Sequence, residues 1–232
     1  MIRQKNPNLE ILENAVHRLG SLANEMVFLG ACATGLLLTD PAAPPIRGTL
    51  DVDVIVELTS LAEYHRLSEK LRKRGFVEDL SPDAPLCRWK NKGVILDVMP
   101  TNPEILGFGN PWFSPAFTRA EAVTLPSGKR IQMLSAPYFL ATKIEAFDYR
   151  GKGDYLLSTD MEDIVTVLDG RPEIVDEVRK SERKLSAFLA TRFANLLKEK
   201  IFIEALPGHL PPDRFSQERL PLLIGRMREI AK

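Results

Sequence analysis

The chain has 232 residues, 44% hydrophobic and 27% charged, and its 31 basic and 31 acidic side chains give a formal net charge of zero. That balance argues against a globally basic coat for nucleic acid, though not against a local patch. Two cysteines, Cys32 and Cys87, are too few for a zinc cluster or a disulfide scaffold and suit a reducing compartment. The polar opening MIRQKNPNLE has no signal-peptide core, and no apolar run approaches the roughly 18 residues a bilayer span needs. The expectation is a cytoplasmic protein with no membrane partner.

Leu9, Leu12, Val16, Leu19 and Leu22 recur at helical spacing and predict an amphipathic helix over residues 8–25. MVFLG (26–30) reads as a short strand ending at Gly30, and ACATGLLLTD as a small-residue turn followed by a short helix. PAAPP (41–45) is a loop, because prolines at that density break regular structure. Leu50–Glu57 predicts a strand, and residues 60–74 a helix capped by Ser60 with Gly75 just past its end. FVEDL, LCRWK and GVILDVMP read as short strands, the last two joined through KNKG as a hairpin. A second hairpin spans 122–134, turned at Pro126-Ser127-Gly128. Helices follow from Ser135 to about Arg150, from Thr159 to about Asp169, and as one long charged helix over roughly 172–200, before a break at LPGHLPPD and a short terminal helix. The class is α+β, a mixed sheet flanked by helices with a helical C-terminal part. The expected division is a core domain over 1–134 and a helical domain over 135–232.

Two carboxylates inside a hydrophobic strand carry the chemistry. In RGTLDVDVIVE (47–57), strand alternation puts Asp51, Asp53 and Ile55 on one face and Val52, Val54 and Val56 on the other. Like charges two residues apart converge and repel unless a cation sits between them. Hard divalent ions such as Mg²⁺ take oxygen ligands of this kind, together with substrate phosphates. A plainer reading is an aspartate face solvated at a sheet edge. Asp97 stands alone in the apolar strand GVILDVMP. Placed beside the first strand, it would complete a three-carboxylate cluster able to hold two metals around an in-line phosphoryl displacement.

Gly30, then Arg47-x-Thr49-x-Asp51-Val52-Asp53-Val54, then a later strand acid resembles the nucleotidyltransferase fold of the DNA polymerase β superfamily. The Arg-x-Thr-x-Asp-hydrophobic-Asp form resembles more closely the AbiEii/AbiGii-type toxin nucleotidyltransferases. LSAPYFLATKIEAFDYRGKGDYLLSTDMEDIVTVL (134–168) is similar to a second pattern of that family, carried here by Lys143, Ala146, Arg150, Asp160 and Asp163. The resemblance covers about residues 26–168. It implies a nucleotidyltransferase-type fold and Mg²⁺ held by Asp51, Asp53 and Asp97. It also implies an NTP with its phosphates at the Gly30–Ala31 turn, where backbone N–H groups or Thr34 replace a serine hydroxyl. Lys143 would contact those phosphates, assisted by Arg150, Arg47 and Thr49, with Asp160 and Asp163 lining the nucleotide site or holding Lys143. Asp97 would draw the proton from an acceptor hydroxyl. The resemblance further implies an RNA acceptor, such as a tRNA 3′ end, and a cognate antitoxin protein. A small-molecule acceptor of the antibiotic-modifying type, and a non-catalytic nucleotide-binding module, are the alternatives. His17, His65 and His209 are scattered and do not suggest ligands.

Overall fold

The computed structural model describes residues 6–232. They divide into two compact units: residues 6–35 with 47–135, and residues 36–46 with 136–232.

The first unit is built on one seven-stranded mixed sheet. In chain order it contains α1 (Leu9–Leu19), β1 (Val27–Leu29), the start of α2 (Ala31–Leu37), β2 (Asp51–Val56), α3 (Leu61–Lys73), β3 (Val77–Glu78), β4 (Arg88–Asn91), β5 (Val94–Pro100), α4 (Phe113–Thr118), β6 (Glu121–Thr124) and β7 (Arg130–Met133). The strand order is β3-β4-β5-β2-β1-β7-β6. β2 and β5 run parallel in the centre, and β1 lies antiparallel to β2. Val52, Val54, Leu96 and Val98 are fully buried, which is the apolar half of the strand alternation.

The predicted helix over 8–25 is shorter than its leucine spacing suggests. Gly20, at φ 57°, ends α1 in the left-handed region, and residues 20–25 tighten into a 3₁₀ turn. Leu22 remains buried, so the apolar period continues although the α-helix does not. α3 matches its expected span, with the Ser60 hydroxyl accepting from the Glu63 amide at 3.3 Å. Both hairpins form as read, and Lys92-Gly93 and Gly128 supply the positive φ that their turns require.

The second unit is helical: α5 (Ala136–Arg150), α6 (Thr159–Gly170), α7 (Ile174–Lys180), α8 (Arg183–Leu196), α9 (Lys200–Ala205), α10 (Arg214–Gln217) and α11 (Leu220–Ile230). α5 packs on α6 and α8, and α11 on α6, α7 and α8. The single long helix expected over 172–200 is two helices. Ser181 turns extended at ψ 171°, and its hydroxyl donates to the Val178 carbonyl, closing α7 before α8 begins. Residues 36–46 belong with these helices, because the amides of Thr39 and Asp40 both donate to the Gly170 carbonyl at 3.0 Å. Arg219 fixes the same corner, bonding Asp169 at 2.8 and 2.9 Å and Asp40 at 2.7 Å. No helix among the described residues is long and apolar enough to cross a membrane.

Candidate functional site

The sheet register brings the three aspartates together. Asp53 pairs directly with Asp97 across the parallel β2–β5 ladder, and Asp51 pairs with Ile95. Directly opposed residues point to the same side, so Asp51, Asp53 and Asp97 share one face of two central strands. Asp97 is buried, while Asp51 and Asp53 are half-buried. That disposition suits a shallow polar floor rather than a solvated edge.

Arg88 completes this floor and was not singled out in the sequence. The β4–β5 register places it opposite Asp97. Its Nε donates to Asp97 Oδ1 at 2.8 Å, one terminal nitrogen donates to Asp97 Oδ2 at 2.7 Å, and the same nitrogen reaches Asp51 Oδ2 at 3.1 Å. This forked, charge-assisted geometry is the strong form of the arginine–carboxylate bond. The hydrogen bond to Asp97, against the opposing effect of burial, holds the guanidinium pKa above its ordinary value. Cys87, one residue earlier, is buried, and burial with the charges of Asp97 and Asp53 pushes its thiol up to about 12. It is an inert thiol at neutral pH.

Two residues brace the floor from the side. The Thr49 hydroxyl donates to Asp51 Oδ1 at 2.6 Å and fixes that carboxylate's rotamer. Asn8, 1% exposed, gathers three segments: its amide nitrogen donates to the carbonyls of Ala31 (3.1 Å) and Arg47 (3.0 Å), and its Oδ1 accepts from the Thr49 amide (2.9 Å). Arg47 thus enters the local scaffold through its backbone. Gly30, at φ 74°, lies under Asp53; a Cβ there would stand 1.9 Å from Asp53 Oδ2. The glycine is therefore needed for close approach as well as for its backbone angle. Ala31 begins α2 and is buried. Thr34 is buried too, and its hydroxyl turns back to the Gly30 carbonyl at 3.4 Å.

The residues fit a hard cation in chemistry and in charge. All donors are carboxylate oxygens, and three formal negative charges against one guanidinium leave two in excess. Asp51, Asp53 and Asp97 are the groups that would hold such an ion. Among the described residues, however, no three carboxylate, imidazole or thiol groups converge as a ready-made metal cage. Arg88 occupies the position between Asp51 and Asp97 and competes for the same oxygens.

The other predicted group lies in the helical unit. Lys143, buried on α5, reaches Asp163 Oδ2 at 2.6 Å and Asp160 Oδ1 at 3.1 Å. Arg150, exposed at the end of the same helix, grips Asp160 with two bonds of 2.7 and 2.8 Å. Burial is the largest single influence on Asp160 and opposes its charge. The Arg150 hydrogen bonds and the charges of Lys143 and Arg150 together hold its pKa below the ordinary value. These four residues form one cluster, which neutralises Lys143 within the helical unit.

No family model and no curated protein sequence matches the chain. One solved structure, an antigenic nucleotidyltransferase-like protein from Paracoccidioides brasiliensis, aligns at 20% identity and a TM-score of 0.47 over 88% of this chain and 94% of that one. A likeness of that grade assigns neither fold nor activity.

Proposed function

We propose that the sheet unit transfers a nucleoside monophosphate from an NTP to an acceptor hydroxyl, with a polynucleotide, RNA in the first instance, as acceptor. The observation that carries this reading is the juxtaposition of Asp51, Asp53 and Asp97 on one face of two central parallel strands. A divalent cation bound there would supply charge neutralisation for the triphosphate and polarise the α-phosphorus. Asp51, held by Thr49, and Asp53, set against Gly30, present fixed oxygens and need no reorganisation as charge develops. The Gly30–Ala31 turn offers backbone without a bulky side chain beside them. Asp97 is the proton acceptor in this scheme: Arg88 uses two of its roughly four lone-pair sites, leaving capacity for the proton of the attacking hydroxyl. The new bond joins the acceptor oxygen to the α-phosphorus, and the bond to the departing pyrophosphate breaks. Lys143 and Arg150 act in this reading as the braces of α5 on α6.

The test is transfer of label from each α-³²P-NTP, with Mg²⁺, to RNA and to a panel of small hydroxyl compounds. Asp53→Asn keeps the side-chain volume over Gly30 and removes the charge. It is expected to lower transfer by at least on the order of 10²–10³-fold, the scale set by losing one preorganised electrostatic group, with an unchanged melting curve. Label on a small compound alone would replace the polynucleotide acceptor. NTP binding without transfer to anything would remove the enzymatic reading.

A further inference from the structure

We propose that the cavity of about 560 Å³ at the β4–β5 turn docks the phosphodiester backbone of a single-stranded polynucleotide. It is lined by His17 and Arg18 at the end of α1, Lys73 and Arg74 at the end of α3, and Lys90 and Lys92 on the hairpin, with Asn91 between them. No carboxylate among the described residues lines it. The acids beside it are already engaged, Asp79 with Lys90 at 2.7 Å and Glu78 with Arg72 at 2.7 Å. Arg18, Lys73, Arg74 and Lys92 form no ion pair among the described residues. The Arg74 guanidinium donates to the Ser21 hydroxyl at 3.0 Å, Arg18 reaches Asn91 Oδ1 at 3.5 Å through a terminal nitrogen, and the Nε of Arg18 is buried without a partner among the described residues.

A purely structural account covers part of this cluster. Cations in the last turn of α1 and α3 complement the negative ends of those helices. Lys90, on a strand, is held by Asp79 at 2.7 Å, and neither account covers Lys92. Lys92 and Gly93 are the two central residues of the hairpin turn, both at positive φ, 43° and 86°. Such turns favour asparagine or glycine at the first of these positions. A lysine held in the left-handed region is a backbone cost at a site where the side chain projects as an exposed cation.

The register ties the cavity to the carboxylates. Lys90 pairs with Ile95, and Ile95 with Asp51, so Lys90 and Asp51 lie in one row on one face, two strand spacings or about 10 Å apart. Lys90 is the lining cation that shares the aspartate face; Asn91, which bonds Arg18 at 3.5 Å and the Arg74 carbonyl at 3.0 Å, alternates to the other face of β4. The volume falls in the range of pockets that hold a nucleotide-sized group. Charges contributed by three separate elements suit successive phosphates better than one. This inference rests on the polynucleotide-acceptor reading above, but its test does not use transfer.

Fluorescence anisotropy with a labelled single-stranded RNA of about 12 nucleotides, titrated with the full chain over a salt series, measures the docking. The variant is Lys73→Gln with Lys92→Asn. Both side chains are exposed, and asparagine suits the left-handed turn, so a melting curve like the parent's is expected. The expected result is at least tenfold weaker binding at low salt, and a log–log salt slope shallower by about 1.4, since each single-strand phosphate contact contributes about 0.7. Inorganic phosphate or ATP at the same concentration as the RNA is expected not to displace the probe. Equal affinity and slope in the variant would overturn the proposal. So would loss of ATP binding with RNA binding intact, which would make the cavity a mononucleotide site. RNA docking that fails in the variant, in a protein that transfers no label, would keep this site and remove the proposed reaction.

Discussion

Lys143→Met is expected to destabilise the helical unit by about 3–5 kcal/mol, the range for removing one partner of a buried ion pair. The stem is retained, so packing on α5 survives, but Asp160 and Asp163, each 2% exposed, lose their shared cation. Arg150 continues to hold Asp160, whereas the charge of Asp163 loses the Lys143 ammonium. At roughly 2–4 °C per kcal/mol for a chain of this size, the melting temperature should fall by about 10 °C. The deficit should also depend on pH in a defined direction. In the parent, Asp160 has a folded-state pKa below its ordinary value of 3.8. Its contribution is therefore complete above that value and is lost as the pH falls through the lowered one. The gap between parent and variant should therefore narrow as the pH falls from about 4 toward 2, where Asp160 becomes protonated. A constant gap in thermal melts across that range would mean that the network is not what Lys143 stabilises.

Arg88→Gln should produce a loss of about 2–4 kcal/mol, read as a fall in melting temperature of roughly 5–15 °C. The Asp97 side chain is 9% exposed and takes two hydrogen bonds from Arg88, so glutamine leaves it short of a charge partner. A second consequence separates this site from an ordinary ion pair. If the guanidinium competes with a cation for the oxygens of Asp51 and Asp97, Mg²⁺ should raise the melting temperature of the variant by more than it raises that of the parent, because ligand binding to the folded state stabilises it by mass action. Equal responses of the two proteins to Mg²⁺ would show that Arg88 and the ion do not share ligands.

The legible part of the fold was its local part. Ser60, Gly75, the two hairpin turns and the alternation of DVDVIV each specify structure within a few residues. The failures share a cause as well. Leucines continued their helical period through Gly20, and charged residues ran on through Ser181, so periodicity overrode single backbone angles that end each helix. At the site, the shared face of Asp51 and Asp53 followed from alternation alone. Arg88 was within reach: once the Lys92-Gly93 turn is accepted, counting back along the hairpin sets residue 88 opposite Asp97. Its importance was hidden because a cation in RWK resembles any solvated strand residue. Asn8 was not within reach. Its partners lie 23, 39 and 41 residues away, and nothing local marks it out. The pairing of Asp53 with Asp97 is likewise set by a long parallel crossover whose register no short segment encodes.

The central claim is that the face carrying Asp51, Asp53 and Asp97 takes a divalent cation for nucleotidyl transfer. Mn²⁺ titration followed by electron paramagnetic resonance, with and without a non-hydrolysable NTP analogue, tests it without relying on an identified acceptor. The account predicts saturable Mn²⁺ binding that tightens with the analogue and weakens by at least tenfold in Asp53→Asn. Binding that is the same in the parent and in Asp53→Asn would place the ion elsewhere and contradict the account.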